Sequence, residues 1–516
     1  MNNLALRRLP VFLLAPLLLG AAGLTPQEER GRQIYVDSTS PSGGEIIAVL
    51  GEGVEVEASA VPCASCHGRD GKGRPEGGVT PTDITWANLT KPYGVVHPTG
   101  RRHPPYDEKL MKRSLAMGFD PAGNVLHTAM PRYRMSHQDM ADLVAYLKKL
   151  GERSDPGVSD TALRVGFLPP PPGPNGSMGR AVRAALEARF AAANAEGGIY
   201  GRRLELVPLD PPPGDRRAGV AAALERGDVF AVAGAFLAGE DDALTAVFQE
   251  KRVPLVGPFT LHPREELPLN RYVFYLLPGI ETQAQALARF ARGWEVAIAA
   301  PRPAVVAPRE EGLDAAVAAL GKACEDWAPL DVQRYLRGSF AAGELAAKLA
   351  AEKADPVFFL GSGAEAAALM RAAQGLRWSP RLLVTAAAAD DSLFSPDAGF
   401  GGRIFVGLPT ATAPQAAARY RALAAAHSLP AEHLSAQLTA LAAAEVLIEG
   451  LKRAGRDLDR ESFVEILEGL RLFNTGYAPP VSYGAGRRLG ARGAYVYALD
   501  LAGRRLAPSG TWVDAE

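Results

Sequence analysis

The segment Cys63-Ala64-Ser65-Cys66-His67 is the strongest chemical signal in the sequence. The pattern C-x-x-C-H is the attachment pattern of c-type haem. On the opening turn of a helix, Cys63 and Cys66 lie on one face and can form thioethers to the two vinyl groups of a porphyrin. The adjacent His67 can then bind the iron as the proximal axial ligand. We therefore predict one covalently attached haem c at this segment.

Two other uses of the cysteines are less compatible with the sequence. A structural zinc site needs about four ligands, and the chain has three cysteines, of which Cys324 is distant. A thioredoxin-type motif should open a helix within a βαβ unit, whereas glycines surround this one. Cys324 is interpreted as a buried small hydrophobe or an unpaired thiol, and intermolecular pairing remains an alternative.

Two predicted helices frame this segment. Thr25 to Glu28 has the capping-box pattern with proline at the first helical position, which predicts a helix to about Tyr35. Ser136 begins a second helix, which has apolar residues at helical spacing and stops at Gly151. The glycine-rich stretch 68–73 between them predicts a loop.

The order of CHGxDGxG, Met130-Pro131 and an amphipathic last helix resembles the class I mono-haem cytochromes c from about Gln27 to Leu150. The resemblance implies an all-α domain whose first and last helices cross at Gly31 and Tyr146. It also implies that Met130 is the distal axial ligand of the iron. The competing candidates are Met135, Met117, His127 and His137. Two axial side chains would leave no open iron position, which favours electron transfer over oxygen chemistry.

The region Asn88 to Pro105 is longer than a minimal cytochrome c needs and is rich in basic residues. Two interpretations remain. Its basic side chains could pair with haem propionates, or the region could be a solvated loop that serves as a docking surface.

Composition and the N-terminus limit the class of protein. The 516 residues contain 56 basic and 57 acidic side chains, for a formal charge of -1, which gives no reason to expect nucleic acid as a partner. Residues 1–23 are typical of a secretory signal peptide, so we predict a periplasmic protein. We expect no membrane span in the mature chain, because no later stretch reaches the apolar length that a bilayer needs.

The sequence pattern changes after a polar segment at 152–161, which we interpret as a linker. It separates a cytochrome c domain at 24–151 from a second domain at 162–516. In the second domain short apolar runs alternate with helical stretches, which predicts parallel sheets covered by helices. Its length favours two lobes. We place lobe 1 at about 162–278 and 408–473, and lobe 2 at about 280–405 and 475–516.

The stretch from Asn194 to Leu204 reads N-x-x-G-G-I-x-G-R-x-L after a strand and a long helix. It resembles type I periplasmic binding proteins of the branched-chain amino acid receptor class. The resemblance implies a two-lobed Venus flytrap fold with a small ligand between the lobes. The first-lobe ligand contacts that it implies are Ser177, Ala235, Phe236, Phe259 and Thr260.

The chain departs from that receptor class at several contact positions. Alanines occupy 386–389, where an acid would bind the ligand's ammonium group, and Asp390 and Asp391 follow just beyond. The first loop is polyproline. An unpaired ammonium would bind poorly there, so a less polar organic acid or aromatic compound fits better than a free amino acid. A scaffold domain without a ligand is the alternative.

Together these features predict a periplasmic electron-transfer cytochrome with a fused binding module. Its partners would be a redox protein, such as a periplasmic dehydrogenase, and a small organic ligand. The alternatives are a receptor that delivers its ligand to an ABC permease and a redox-linked ligand sensor. The sequence contains no hydrolase motif, and we expect no enzyme.

Overall fold

In the computed structural model the chain forms two units, Met1–Arg153 and Ser154–Glu516. The predicted signal peptide lies outside the described residues. The structure describes residues 24–51, 53–73, 79, 81–97, 99–151, 155–211, 214–226, 229–294, 301–310, 312–395, 398–411, 414–456, 458–507 and 510–515.

Four of the five helices described in the first unit begin at residues whose side chains cap them. Thr25 forms the predicted capping box with Glu28, and Ser136 accepts from the backbone N–H of Asp139. The helices are α1 (Pro26–Asp37), α2 (Cys63–His67), α3 (Trp86–Leu89), α4 (Glu108–Met117) and α5 (His137–Leu147).

Beside these helices the first unit has short strands, which the prediction of an all-α domain did not include. They are β1 (Ile47–Leu50), β2 (Val54–Glu57), β3 (Val95–Val96), β4 (Arg102–His103) and β5 (Arg132–Arg134). The order β2-β1-β5 forms an antiparallel sheet, and β3 pairs with β4. The sheet therefore links the segment before α2 to the segment after Met130.

Helices α1 and α5 cross at Gly31. A Cβ atom at Gly31 would lie 2.0 Å from the carbonyl oxygen of Asp142 and 2.7 Å from the Cβ of Tyr146. Beside this contact, the Arg30 Nε donates to Asp142 Oδ2 at 2.7 Å. The close approach requires glycine, as the cytochrome c resemblance implied.

The first lobe of the second unit is a parallel five-stranded sheet in the order β10-β9-β8-β6-β7. Helices cover both faces and bury a separate hydrophobic core against each face of the sheet. Its first segment contains β6 (Ala162–Phe167), α6 (Gly176–Ala195), β7 (Arg203–Pro208), α7 (Arg216–Glu225), β8 (Ala231–Ala233), α8 (Asp241–Glu250), β9 (Leu255–Val256) and β10 (Val273–Phe274).

The glycine signature forms the turn between α6 and β7. Gly198 has φ +70°, and a Cβ there would lie 2.1 Å from the carbonyl oxygen of Arg202. Asn194 bonds both the backbone N–H and the carbonyl oxygen of Leu204, at 2.7 and 2.9 Å. The signature therefore fixes how the helix returns to the sheet.

The second lobe has strands in the order β12-β11-β13-β14-β15-β16-β17, with β18 also paired to β16. The strands are parallel as far as β15, and the β15–β16 pair is antiparallel. This lobe begins with α9 (Ile280–Arg292), β11 (Ala304–Pro308), α10 (Leu313–Ala323), β12 (Asp331–Tyr335), α11 (Ala342–Ala351), β13 (Val357–Phe359), α12 (Gly363–Gly375), β14 (Leu382–Thr385) and β15 (Ile404–Leu408).

The chain then returns to the first lobe for longer than predicted. Helices α13 (Pro414–His427), α14 (Leu434–Ala454) and α15 (Arg460–Glu468) are followed by a segment whose Tyr477, Val481 and Tyr483 are buried in the first-lobe core. The predicted crossing at 475 is therefore wrong, because these side chains join the first-lobe core, where the Tyr483 ring lies 5.2 Å from that of Phe274 in β10. The second lobe is completed by β16 (Gly493–Asp500), β17 (Arg505–Leu506) and β18 (Thr511–Asp514).

Among the described residues, α14 alone is long and apolar enough to cross a bilayer by length and composition. The expectation that no segment after residue 23 has that length was thus wrong. In the fold 78% of its apolar window is buried, as in the core helix of a soluble protein.

Candidate haem site and ligand cleft

The predicted attachment segment forms the single-turn helix α2. It follows Pro62 in an extended conformation and ends at Gly68, whose φ is +72°. Cys63 is buried and Cys66 is exposed, and both thiols are unpaired. Burial raises the pKa of the Cys63 thiol to about 11. Both thiols and the imidazole therefore lie on one turn, as haem attachment requires.

The ring of His67 is held in one orientation. It is 7% exposed, and its Nδ1 donates to the carbonyl oxygen of Thr82 at 3.1 Å. This bond leaves Nε2 as the nitrogen that can bind iron. Burial lowers the pKa of His67, which favours the neutral imidazole that metals require. The donor set of α2 therefore fits covalent haem with a proximal histidine.

The structure separates the distal-ligand candidates into two groups. Met130 and Met135 pack against the core that contains Cys63. The other three candidates, Met117, His127 and His137, are exposed. Met130 as distal ligand stays a prediction, and Met135 is its remaining thioether competitor.

The basic region combines two buried histidines with strongly exposed residues such as Tyr93 and Val96, so a solvated docking surface stays a prediction. His97 and His103 are 6% and 5% exposed, with ring centroids 5.0 Å apart. Burial, together with the positive charge of Arg101, lowers the pKa of His97 to about 4. Arg101 itself pairs with the buried carboxylate of Asp120 at 2.7 Å. Arg102, in the β3–β4 hairpin, is exposed.

The predicted first-lobe ligand residues follow the carboxyl ends of the strands, but their polar groups already have protein partners. The Ser177 hydroxyl lies 2.9 Å from His433 Nε2, and the Thr260 hydroxyl bonds Asp241. Ala235 is fully buried. The two aromatic residues of the set, Phe236 and Phe259, stack on each other.

Phe236 and Phe259 form a parallel stack at the ends of β8 and β9. Their ring centroids are 4.6 Å apart and their planes differ by 7°. Phe236 is 4% exposed, and Phe259 is half-buried. Both rings belong to the packed core of the first lobe, so the stack joins the loops that follow these two strands.

Arg216 on α7 was not predicted as a functional residue. Its guanidinium is 8% exposed and donates to the carbonyl oxygens of Pro169 and Leu237, both at 3.0 Å. It thereby fixes the polyproline loop after β6 against the loop after β8. Backbone acceptors leave no residue-specific pattern, so the sequence carried no signal for this role.

The second-lobe loops are polar. At the end of β12 the Tyr335 hydroxyl donates to Glu365 Oε2 at 2.8 Å, and the Ser362 N–H donates to the same oxygen at 2.9 Å. Asp390, the acid that follows the alanines, accepts from the backbone N–H of Ser392 at 2.8 Å. These carboxylates are held by the protein itself.

The two lobes meet at His262 and Gly312. Gly312 has φ +89°, and a Cβ there would lie 2.8 Å from His262 Nδ1. His262 follows β9 in the first lobe, and Gly312 precedes α10 in the second. Glycine is therefore needed for this closed contact.

Comparisons with known proteins identify both units. Residues 162–504 match the family described as periplasmic binding protein, and residues 56–151 match the family described as cytochrome c. No match was found among curated proteins.

Solved structures resemble the second unit. A fatty acid ABC transporter substrate-binding protein from Thermomonospora curvata is 17% identical with a TM-score of 0.55, and the match covers 70% of this chain and 94% of that one. A branched-chain amino acid ABC transporter protein from Thermus thermophilus with bound valine is also 17% identical with a TM-score of 0.55, over 69% and 97% of the two chains. At this identity the likeness shows the fold.

Proposed function

Because the chain belongs to the periplasmic binding protein family and carries a cytochrome c domain before that fold, we propose that it is a periplasmic electron carrier with a fused small-molecule binding module. The observation that carries this proposal is the arrangement on α2. Two free thiols share one turn with a buried imidazole whose Nδ1 is bonded to Thr82. Bound haem supplies an iron that gains and loses one electron.

The ligand set favours electron transfer as the use of that iron. His67 offers Nε2 from one side, and Met130 packs on the same core. A thioether favours ferrous iron and raises the reduction potential. With both axial positions filled by side chains, small molecules such as oxygen find no open site. The domain then passes electrons to a partner such as a periplasmic dehydrogenase.

The binding module is proposed to take an organic acid or another compound with an apolar body. The hydroxyls of Ser177 and Thr260 are engaged with protein partners. Phe236 and Phe259 occupy the neighbouring loops as a stacked pair. A free ammonium group would have to be desolvated against these groups without a dedicated acid. This argues against a free α-amino acid, although amino acid receptors share the fold.

The first experiment is native mass spectrometry of the full chain purified from periplasm, followed by denaturation. The expected result is one covalent haem and a releasable organic molecule, since slow release lets binding proteins retain ligands. Rapid reduction by a dehydrogenase, measured by stopped flow, would support the carrier role. A chain without haem would refute that role. If the haem reduction potential and the reduction rate are the same with and without the ligand, a transport receptor is the better assignment for the second unit.

A further inference from the structure

Two tyrosine hydroxyls hold the backbone on either side of the attachment helix. The Tyr35 hydroxyl donates to the carbonyl oxygen of Gly68 at 2.6 Å, directly after α2. The Tyr133 hydroxyl donates to the carbonyl oxygen of Val61 at 3.0 Å, just before α2. The two donors come from different elements, α1 and β5. The turn that carries both thiols and the imidazole is thus held at each end.

Both bonds lie in the interior. Tyr35 is 0% exposed and Tyr133 is 3% exposed. A buried carbonyl or hydroxyl without a partner costs more free energy than a typical hydrogen bond gains. Burial also raises the pKa of both phenols, so they remain donors at neutral pH. The two contacts are therefore expected to persist whenever the unit is folded.

The two tyrosines differ in what they attach to the turn. Tyr35 lies at the α1–α5 crossing, where its ring packs against Tyr146 with centroids 5.5 Å apart. Tyr133 lies in β5, three residues after Met130, and is paired with Ala48 of β1. The bond from Tyr133 therefore connects the attachment turn to the segment that carries the predicted distal ligand.

We propose that Tyr133 is a positioning residue for Met130: its hydroxyl holds the methionine segment at a fixed distance from the attachment turn and so limits dissociation of the thioether from the iron. The inference rests on the proposed haem ligation by His67 and Met130. The Tyr133 hydroxyl also interacts with the Cys63 thiol on the same turn. Tyr35 makes the same kind of backbone bond from α1, an element that does not carry Met130. It therefore serves as the matched comparison.

The test uses the full-length haem-bound protein as wild type, Tyr133→Phe, Tyr35→Phe and Tyr106→Phe. Tyr106 is buried in the same core, and its hydroxyl bonds Ser114 at 3.2 Å. The readout is the rate at which cyanide binds the ferric protein, because cyanide must wait for the methionine to leave. Circular dichroism confirms that each variant is folded.

Loss of one buried hydrogen bond should increase the population without bound methionine, and hence the cyanide rate, about fivefold or more in Tyr133→Phe. Tyr35→Phe and Tyr106→Phe should stay within about twofold of wild type. A wild-type cyanide-binding rate in Tyr133→Phe, or an equal increase of that rate in Tyr35→Phe, would overturn the positioning role of Tyr133. The proposed haem ligation would still stand. A wild-type protein without the methionine–iron charge-transfer band would overturn the proposed ligand set and this inference with it.

Discussion

Replacement of Gly31 by alanine should destabilise the first unit, because the α1–α5 crossing has no space for a side chain. The added Cβ would lie 2.0 Å from the carbonyl oxygen of Asp142, whereas ordinary contacts are about 3.5 Å. The helices must therefore separate by more than about 1 Å. Overpacking of this kind costs about 3 kcal/mol. Alanine regains about 1 kcal/mol through helix propensity, so the net loss is about 2 kcal/mol.

The assay is urea unfolding of the full-length haem-bound protein, followed by haem absorbance so that the first unit alone is reported. With a slope of about 1.5 kcal/mol per molar urea, the midpoint should fall by about 1.3 M in Gly31→Ala. Gly44→Ala is the matched control, since its Cβ would meet nothing closer than 3.5 Å. A midpoint in Gly31→Ala that equals or exceeds that of wild type would refute the reasoning.

Three further predictions address the iron, the cleft and pH. Met130→Leu should abolish the methionine–iron charge-transfer band in the absorption spectrum while Met135→Leu keeps it, and the reverse pattern would make Met135 the ligand. Gly312→Ala should strain the loop before α10 and speed hydrogen exchange in the loops that meet there, because its φ is +89° and its Cβ would lie 2.8 Å from a histidine nitrogen. Gly321→Ala, with nothing within 4 Å, should exchange like wild type, and equal exchange in both variants would argue against the closed contact. Burial opposes ionisation of Asp142, but its hydrogen bonds outweigh burial and lower its pKa. The stability it contributes is therefore present above the unfolded pKa of about 3.9 and is lost as pH falls through the lower folded value. Unfolding midpoints measured from pH 2 to 7 should accordingly vary less in Asp142→Asn than in wild type. Equally steep profiles in the two proteins would show that this carboxylate does not contribute to the pH dependence of stability.

Features with side-chain signatures could be predicted from the sequence. The capping box at Thr25 and the N-cap at Ser136 located the helices, because each depends on residue type at a fixed spacing. The same holds for the alternating apolar runs that gave the two lobes. The crossing at Gly31 was implied by the resemblance to the cytochromes c.

Features that depend on backbone partners could not be predicted. Thr82 orients His67 through a carbonyl oxygen, which any residue would offer, and Arg216 likewise donates to carbonyl oxygens, besides its ion pair with Glu240 at 3.6 Å. His97 and His103 looked solvated because polar residues and prolines surround them, yet the hairpin buries both rings. The late return to the first lobe was missed because its aromatic residues, such as Tyr483, lie in irregular segments without periodicity.

Helix α14 would have to pass a translocation channel if the chain is exported as proposed. Near its middle, Glu445 pairs with Arg189 at 2.9 Å and with Arg419 at 3.2 Å in the folded unit. In a chain exported unfolded, this apolar segment passes the translocation channel before either arginine has reached the carboxylate. A charged side chain near the centre of such a segment adds about 3 kcal/mol to the free energy of inserting it into lipid. Glu445 therefore disfavours arrest in the bilayer during transit, and the same carboxylate afterwards joins the core helix to its neighbours.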